Sequence, residues 1–198
     1  MIQEIFYALY QEGQAFSGLE IIGVVTALIY VGLAAKGNRW CFLFGLISSS
    51  VYIYLSLILK FYFDTAINTY YIAMSFYGWF AWGKNDNSSD FVPLKLEPKK
   101  FALFIIVGFL VTIVLAFTVS QYSDASLPYF DAFTTIFAII ATYMVVKKWI
   151  ENWLIWVVVD FVAAGMYWYK ELYLTAILFL IYTIISIVGY QKWKKQLV

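Results

Sequence analysis

Three residues in the run ENWLIWVVVD at 151–160 could do chemistry together: Trp153, Trp156 and Asp160. With Trp149 they fall at i, i+4, i+7 and i+11, one stripe of a helix. A pair of indole faces below a carboxylate suits a flat, cationic, aromatic ligand. The rings supply stacking and cation–π attraction, roughly 0.5–2 kcal/mol each when desolvated. The carboxylate supplies charge or a hydrogen bond. Asp160 lies in an apolar run long enough to cross a bilayer, ~13 Å from Glu151 and so near the centre of a ~30 Å hydrocarbon core. An ionised carboxylate there costs at least ~2.5–3.5 kcal/mol. No lysine or arginine is expected at that depth, so its partner is a bound cation or a proton. The structural alternatives are a protonated Asp160 that holds helices together and tryptophans that only pack.

Other polar residues reach a similar depth. Ser48, Ser49 and Ser50 sit mid-span, Asn68 and Tyr71 share a helix face, and Tyr182 and Thr183 sit mid-span further on. Asn68 has donors and acceptors to satisfy, which makes it a candidate for a cavity wall. Ser48 is a candidate for ligand contact, or for close helix packing as a small residue. The candidate substrate-binding set is therefore Trp153, Trp156, Asp160, Asn68, Tyr71, Ser48 and Tyr182. Glu20 and Asp131 open their helices, where a carboxylate complements the helix dipole.

Composition says what must hold these residues. The chain has 198 residues, 64% hydrophobic and 13% charged, with mean hydropathy +0.80. That is too little polar surface for a water-soluble domain, which carries about 25% charged residues. There is no histidine and one cysteine, Cys41. Disulfide frameworks, Cys/His metal sites and His-dependent nucleophilic catalysis are excluded together, and Cys41 reads as a small packing residue. We expect no metal, no cofactor and no enzymatic activity. The net charge of +1 predicts no nucleic-acid partner.

Seven segments are apolar enough to span, at 18–35, 40–59, 62–83, 101–120, 128–146, 150–169 and 172–190. Residues 1–17 show no cleavable signal and read as an interfacial helix on the outside. The polar stretch 84–100 is the one clear linker, so the spans fall three, one and three: an all-α membrane protein. The divisions are a first three-helix repeat at 18–83, the linker at 84–100 and a single span at 101–120. A second repeat at 121–191 and a tail at 192–198 follow. With the C-terminus cytoplasmic and the N-terminus outside, eleven of the thirteen basic residues lie inside and only Lys60 and Lys170 outside, as the positive-inside rule asks.

The two halves look alike. Glu20, Ala27, Ile29 and Lys36 recur in the same order and at one constant spacing as Asp131, Ala138, Ile140 and Lys147. KFYFDTAI at 60–67 matches KELYLTAI at 170–177, GWFAW at 78–82 matches GYQKW at 189–193, and Trp40 matches Trp153 at a slightly longer spacing. One span between the halves makes them parallel repeats, an architecture of transporters with the substrate site at the repeat interface. A duplicated membrane scaffold without transport is the alternative. Glycines 23, 32, 45, 78 and 165 are candidate pivots or close-packing points.

YGWFAW at 77–82, ENWLIWVVVD at 151–160 and the three-one-three arrangement resemble the PnuC family of bacterial vitamin transporters, from about Glu20 to Trp193. That family carries WxxWxxxN or WxxWxxxD in its sixth span. Members with Asn look like nicotinamide riboside transporters, and members with Asp like thiamine transporters, the branch called PnuT. Here the motif reads Trp153, Trp156, Asp160, and Ser48 stands where riboside carriers tend to have Asn. The resemblance thus implies thiamine uptake, with nicotinamide riboside as the alternative. It also implies a SWEET-like fold in the bacterial inner membrane and facilitated diffusion by alternating access. A cytoplasmic vitamin kinase would trap the substrate, and a homotrimer is allowed. Both vitamins are cationic, so charge alone does not separate them. An Asp carboxylate only accepts hydrogen bonds, which favours a ligand with an amino group or a protonated ring nitrogen. The competing classes are a sugar transporter of the SWEET type, a substrate-binding membrane subunit and an integral-membrane enzyme.

Overall fold

The computed structural model describes residues 18–58, 62–83, 91–122 and 126–197. The expected interfacial helix at 1–17 lies outside the described residues, as does the first part of the linker, 84–90. Among the described residues seven helices follow one another: α1 Gly18–Ala34, α2 Cys41–Ile58, α3 Tyr62–Gly83, α4 Pro98–Tyr122, α5 Pro128–Val146, α6 Asn152–Tyr169 and α7 Tyr173–Lys195. Prolines open α4 and α5, where the missing N–H costs nothing and φ is already helical. Helix α7 runs past the expected end of its span. Lys192, Lys194 and Lys195 occupy its last turn and complement the helix dipole, so most of the expected tail is helical.

Four helices, α2, α4, α5 and α7, are long and apolar enough to cross a membrane by length and composition; α1 is apolar but has 17 residues. The other two, α3 and α6, carry polar and aromatic residues of the cavity described below, which dilutes their hydropathy. Helices α1, α2 and α3 pack in succession, and so do α5, α6 and α7. The two sets meet where α3 lies on α5 and α1 on α7. Helix α4 packs on α5 and turns Leu103, Ile106, Leu110, Val114 and Phe117 outward, a face suited to lipid.

The same turn closes α1 and α5. Gly37 has φ +68° and Lys148 has φ +58°, the left-handed conformation that ends many helices. Asn38 N–H donates to the Leu33 carbonyl and Trp149 N–H to the Met144 carbonyl, both at 3.0 Å. These two bonds stand at the same repeat spacing as Glu20 and Asp131. At Gly37 the glycine is required twice, since a Cβ would also collide with Phe91. At the repeat spacing the counterpart of Trp153 is Phe42. Phe42 seats on Gly78 as Trp153 seats on Gly189, and each glycine leaves room for its ring. Trp40 does not match Trp153 in setting: it is 51% exposed and meets Trp79 edge-on, whereas Trp153 is 2% exposed.

One end of the bundle is basic, with Lys36, Arg39, Lys147 and Lys148. The other is acidic, with Glu20, Asp64 and Asp131 in first helical turns. Cys41 is fully buried near the basic end, in a core of Ala34, Phe42, Trp82, Val146 and Trp193. It is a packing residue, as expected. Of the candidate pivot glycines, Gly23, Gly45 and Gly78 are close-packing points against Tyr52, Tyr30 and Phe42. Gly32 and Gly165 face open space.

Candidate functional site

A cavity of about 570 Å³ runs between the helices. Every helix but α4 lines it. It extends from Glu20 near the acidic end to Ala34, Phe42, Val145 and Trp153 toward the basic end. All seven residues of the candidate set lie on its wall. They reach it from α2, α3, α6 and α7, and their chemistry there differs from one to the next.

Asp160 is 4% exposed and accepts a hydrogen bond from Ser186 Oγ of α7 at 3.2 Å. No lysine or arginine pairs with it among the described residues. Tyr71 and Tyr182 lie close enough to feel its charge. A buried carboxylate with one hydroxyl partner among the described residues, facing a largely apolar cavity, has a strong preference for a cation or for a donor-rich ligand.

The two tryptophans divide the work. Trp156 is half-buried and faces the cavity, so its ring can stack. Trp153 is packed on both sides: Gly189 lies so close that a Cβ there would sit 2.8 Å from the ring, and Trp193 meets it edge-on at 5.4 Å. With Gly189 against one face and 2% of the residue exposed, Trp153 offers the cavity less ring surface than Trp156 does. Trp153 keeps a different capacity, because its buried Nε1 donor has no partner among the described residues. Trp149 does not join the stripe. It lies in the turn before α6 and packs against Phe104 and Tyr143.

Ser48 and Asn68 line the wall with donors already engaged. Ser48 Oγ donates to the Gly23 carbonyl at 3.0 Å, tying α2 to α1. Asn68 Nδ2 donates to the Asp64 carbonyl at 2.8 Å, one turn back on its own helix. Ser48 therefore keeps only acceptor capacity for a ligand, while Asn68 keeps its carbonyl and a second N–H. Tyr182 leans on Phe179 edge-on at 5.8 Å, and Phe179 stacks on Tyr167 at 5.2 Å. Tyr30, Tyr52, Tyr167 and Ser186 also line the cavity, and none was among the residues expected from the sequence. With 17 tyrosines in the chain, type alone could not select three. Ser186 had one signal: it is the repeat counterpart of Ser75, which lines the same cavity.

Comparison with known proteins agrees with this architecture. The family described as "Nicotinamide mononucleotide transporter" matches residues 17–195. The nicotinamide riboside transporter PnuC of Escherichia coli is 21% identical, over 91% of this chain and 87% of its own. The protein of the same name from Neisseria mucosa is 28% identical, over 90% of this chain and 73% of its own. A crystal structure of the vitamin B3 transporter PnuC superposes with a TM-score of 0.72 at 24% identity, covering 97% of this chain and 89% of that one. That likeness shows the same fold. These relatives are transporters, not enzymes. The family match runs over nearly the whole chain, and the protein belongs to the PnuC family of membrane transporters.

Proposed function

We propose that this chain carries a cationic, heteroaromatic vitamin across the membrane through the central cavity, and that the vitamin is nicotinamide riboside. The observation that carries the proposal is Asp160: a buried carboxylate without a cationic partner among the described residues, facing a cavity of a size typical for a small ligand. Nicotinamide riboside brings a positive aromatic ring for Trp156 and Asp160. Its carboxamide and ribose bring hydroxyl and carbonyl groups for the tyrosines and Trp153 Nε1. The names of the relatives favour it over the thiamine expected from the sixth-span motif.

Thiamine stays as a second reading because one residue favours it. Asp160 can only accept, and the aminopyrimidine of thiamine offers the N–H donors that a carboxylate prefers. A buried group left unpaired by the wrong ligand costs ~1–3 kcal/mol, or roughly ten- to hundredfold in affinity.

The rest of the reading follows from the cavity and the charge. The basic end faces the cytoplasm, which puts the C-terminus inside. Helices α1–α3 and α5–α7 are parallel repeats that rock about the cavity in alternating access, with α4 as their connector. The matching turns after α1 and α5, and the matching Phe42–Gly78 and Trp153–Gly189 contacts, support the repeat. Transport is facilitated diffusion in a bacterial inner membrane, drawn inward by a vitamin kinase. A thermal-stabilisation panel of purified protein with nicotinamide riboside, thiamine and glucose tests the substrate. A rise with nicotinamide riboside supports the main reading and a rise with thiamine alone the second. A rise with glucose alone would place the chain with sugar carriers.

A further inference from the structure

The cavity stops short of the basic end. Its floor is Ala34, Phe42, Val145 and Trp153. Beneath that floor lies a second layer outside the cavity lining, a triangle of the Trp82, Trp193 and Phe91 rings. The Phe91 ring sits 4.7 Å from Trp82 and 4.7 Å from Trp193, centroid to centroid. Lys148 Nζ caps the stack, 5.2 Å from the Phe91 ring and 5.8 Å from that of Trp82. Trp82 is fixed to the Val146 carbonyl and Trp193 to the Ala34 carbonyl. Phe91 differs from both, because it belongs to no helix.

Residues 91–96 cross this end as an extended strap. Leu94 N–H donates to the Lys148 carbonyl at 2.8 Å, and Ile150 N–H donates to the Leu94 carbonyl at 2.9 Å. Leu96 N–H donates to Glu151 Oε2 at 2.9 Å, and both residues are buried. The strap is thus clipped to the turn between α5 and α6, while its Phe91 reaches the end of α3. It holds the two helix sets together over the closed end of the cavity. The strap is held by these three hydrogen bonds, by the ring contacts of Phe91 and by the burial of Pro93 and Leu96. It is the part of this layer that lies outside a helix, so it can open without breaking a helical hydrogen-bond ladder.

We propose that residues 91–96 are the gate of the transport path at the basic end, and that Phe91 is its plug. The proposal rests on the transport reading above. A solute passes this end only when Phe91 leaves the Trp82 and Trp193 rings and the clip to Lys148 and Ile150 opens.

The clip can be locked. Leu94 and Trp149 form a parallel bridge, and bridged backbones lie about 4.8 Å apart, within the reach of a disulfide. In a Cys41→Ala background, Leu94→Cys with Trp149→Cys is reconstituted in liposomes, and uptake of labelled nicotinamide riboside and thiamine is measured before and after oxidation. The expected result is loss of uptake on oxidation, recovery on reduction, and unchanged calorimetric binding. Uptake that survives the crosslink would overturn the proposal. So would binding lost together with uptake, which would make the strap part of the binding site. Reduced protein that binds neither vitamin would instead refute the substrate reading. The gate then stands on a second measurement that needs no substrate. The native Cys41 sits in the same core as Trp82 and Trp193, and Phe91→Ala should raise its labelling rate by a small thiol reagent about tenfold. Phe91→Tyr should restore protection. Equal labelling in wild type and Phe91→Ala would overturn the gate.

Discussion

Trp82 and Trp193 stand 6.1 Å apart, ring centroid to ring centroid, and each donates its indole N–H to the opposite set of helices. Trp82, at the end of α3, donates to the Val146 carbonyl at the end of α5. Trp193, at the end of α7, donates to the Ala34 carbonyl at the end of α1, and both bonds are 3.1 Å. The exchange is reciprocal, and both rings are buried. Trp82→Phe or Trp193→Phe should each destabilise the protein by about 1–3 kcal/mol, because a buried carbonyl loses its donor. The double variant should lose less than the sum, since the two rings share one cluster. Denaturation of the three variants in detergent checks both statements.

Glycine position predicts which substitutions the fold accepts. Gly189→Ala drives a methyl group to within 2.8 Å of the Trp153 ring. The ring has no room to retreat from Trp193, so overpacking should cost about 1–3 kcal/mol and weaken ligand binding as Trp153 shifts. Gly165→Ala meets nothing within 4 Å. It should be neutral, or stabilising by about 0.5–1 kcal/mol through helix propensity. Thermal melts of the pair decide; equal losses in both would contradict the packing account.

Ser48 separates wall from ligand contact. Its hydroxyl donates to the Gly23 carbonyl, so Ser48→Ala should lower stability by about 1 kcal/mol and leave vitamin affinity within about twofold. A large loss of affinity with unchanged stability would show that the hydroxyl turns toward the ligand.

Much of the site was legible because it breaks a pattern. A carboxylate inside an apolar run marks Asp160 without any structure, and helical spacing puts Trp153 and Trp156 beside it. What those rings do was not legible. Gly189 and Trp193 bury most of the Trp153 ring from another helix, and spacing along α6 carries no information about α7. Ser48 looked the same from the sequence whether its proton went to a ligand or to Gly23. The constant offset between Glu20 and Asp131 and between Lys36 and Lys147 is also the offset between the matching turns after α1 and α5. The Trp40 match misled, since identity of residue type drew the eye from Phe42, which has the matching packing. Phe91 had no signal at all, since a single aromatic in a polar linker gains meaning only from the two tryptophans it packs against.

Asp160 is the group on which the transport reading turns, as the receiver of the cationic vitamin. Calorimetric titration of wild type and Asp160→Asn with nicotinamide riboside and with thiamine tests that role most directly. Wild type should bind nicotinamide riboside, and Asp160→Asn should weaken binding by roughly ten- to hundredfold as the buried charge is removed. Binding unchanged in Asp160→Asn would contradict this role and leave the carboxylate a structural partner of Ser186.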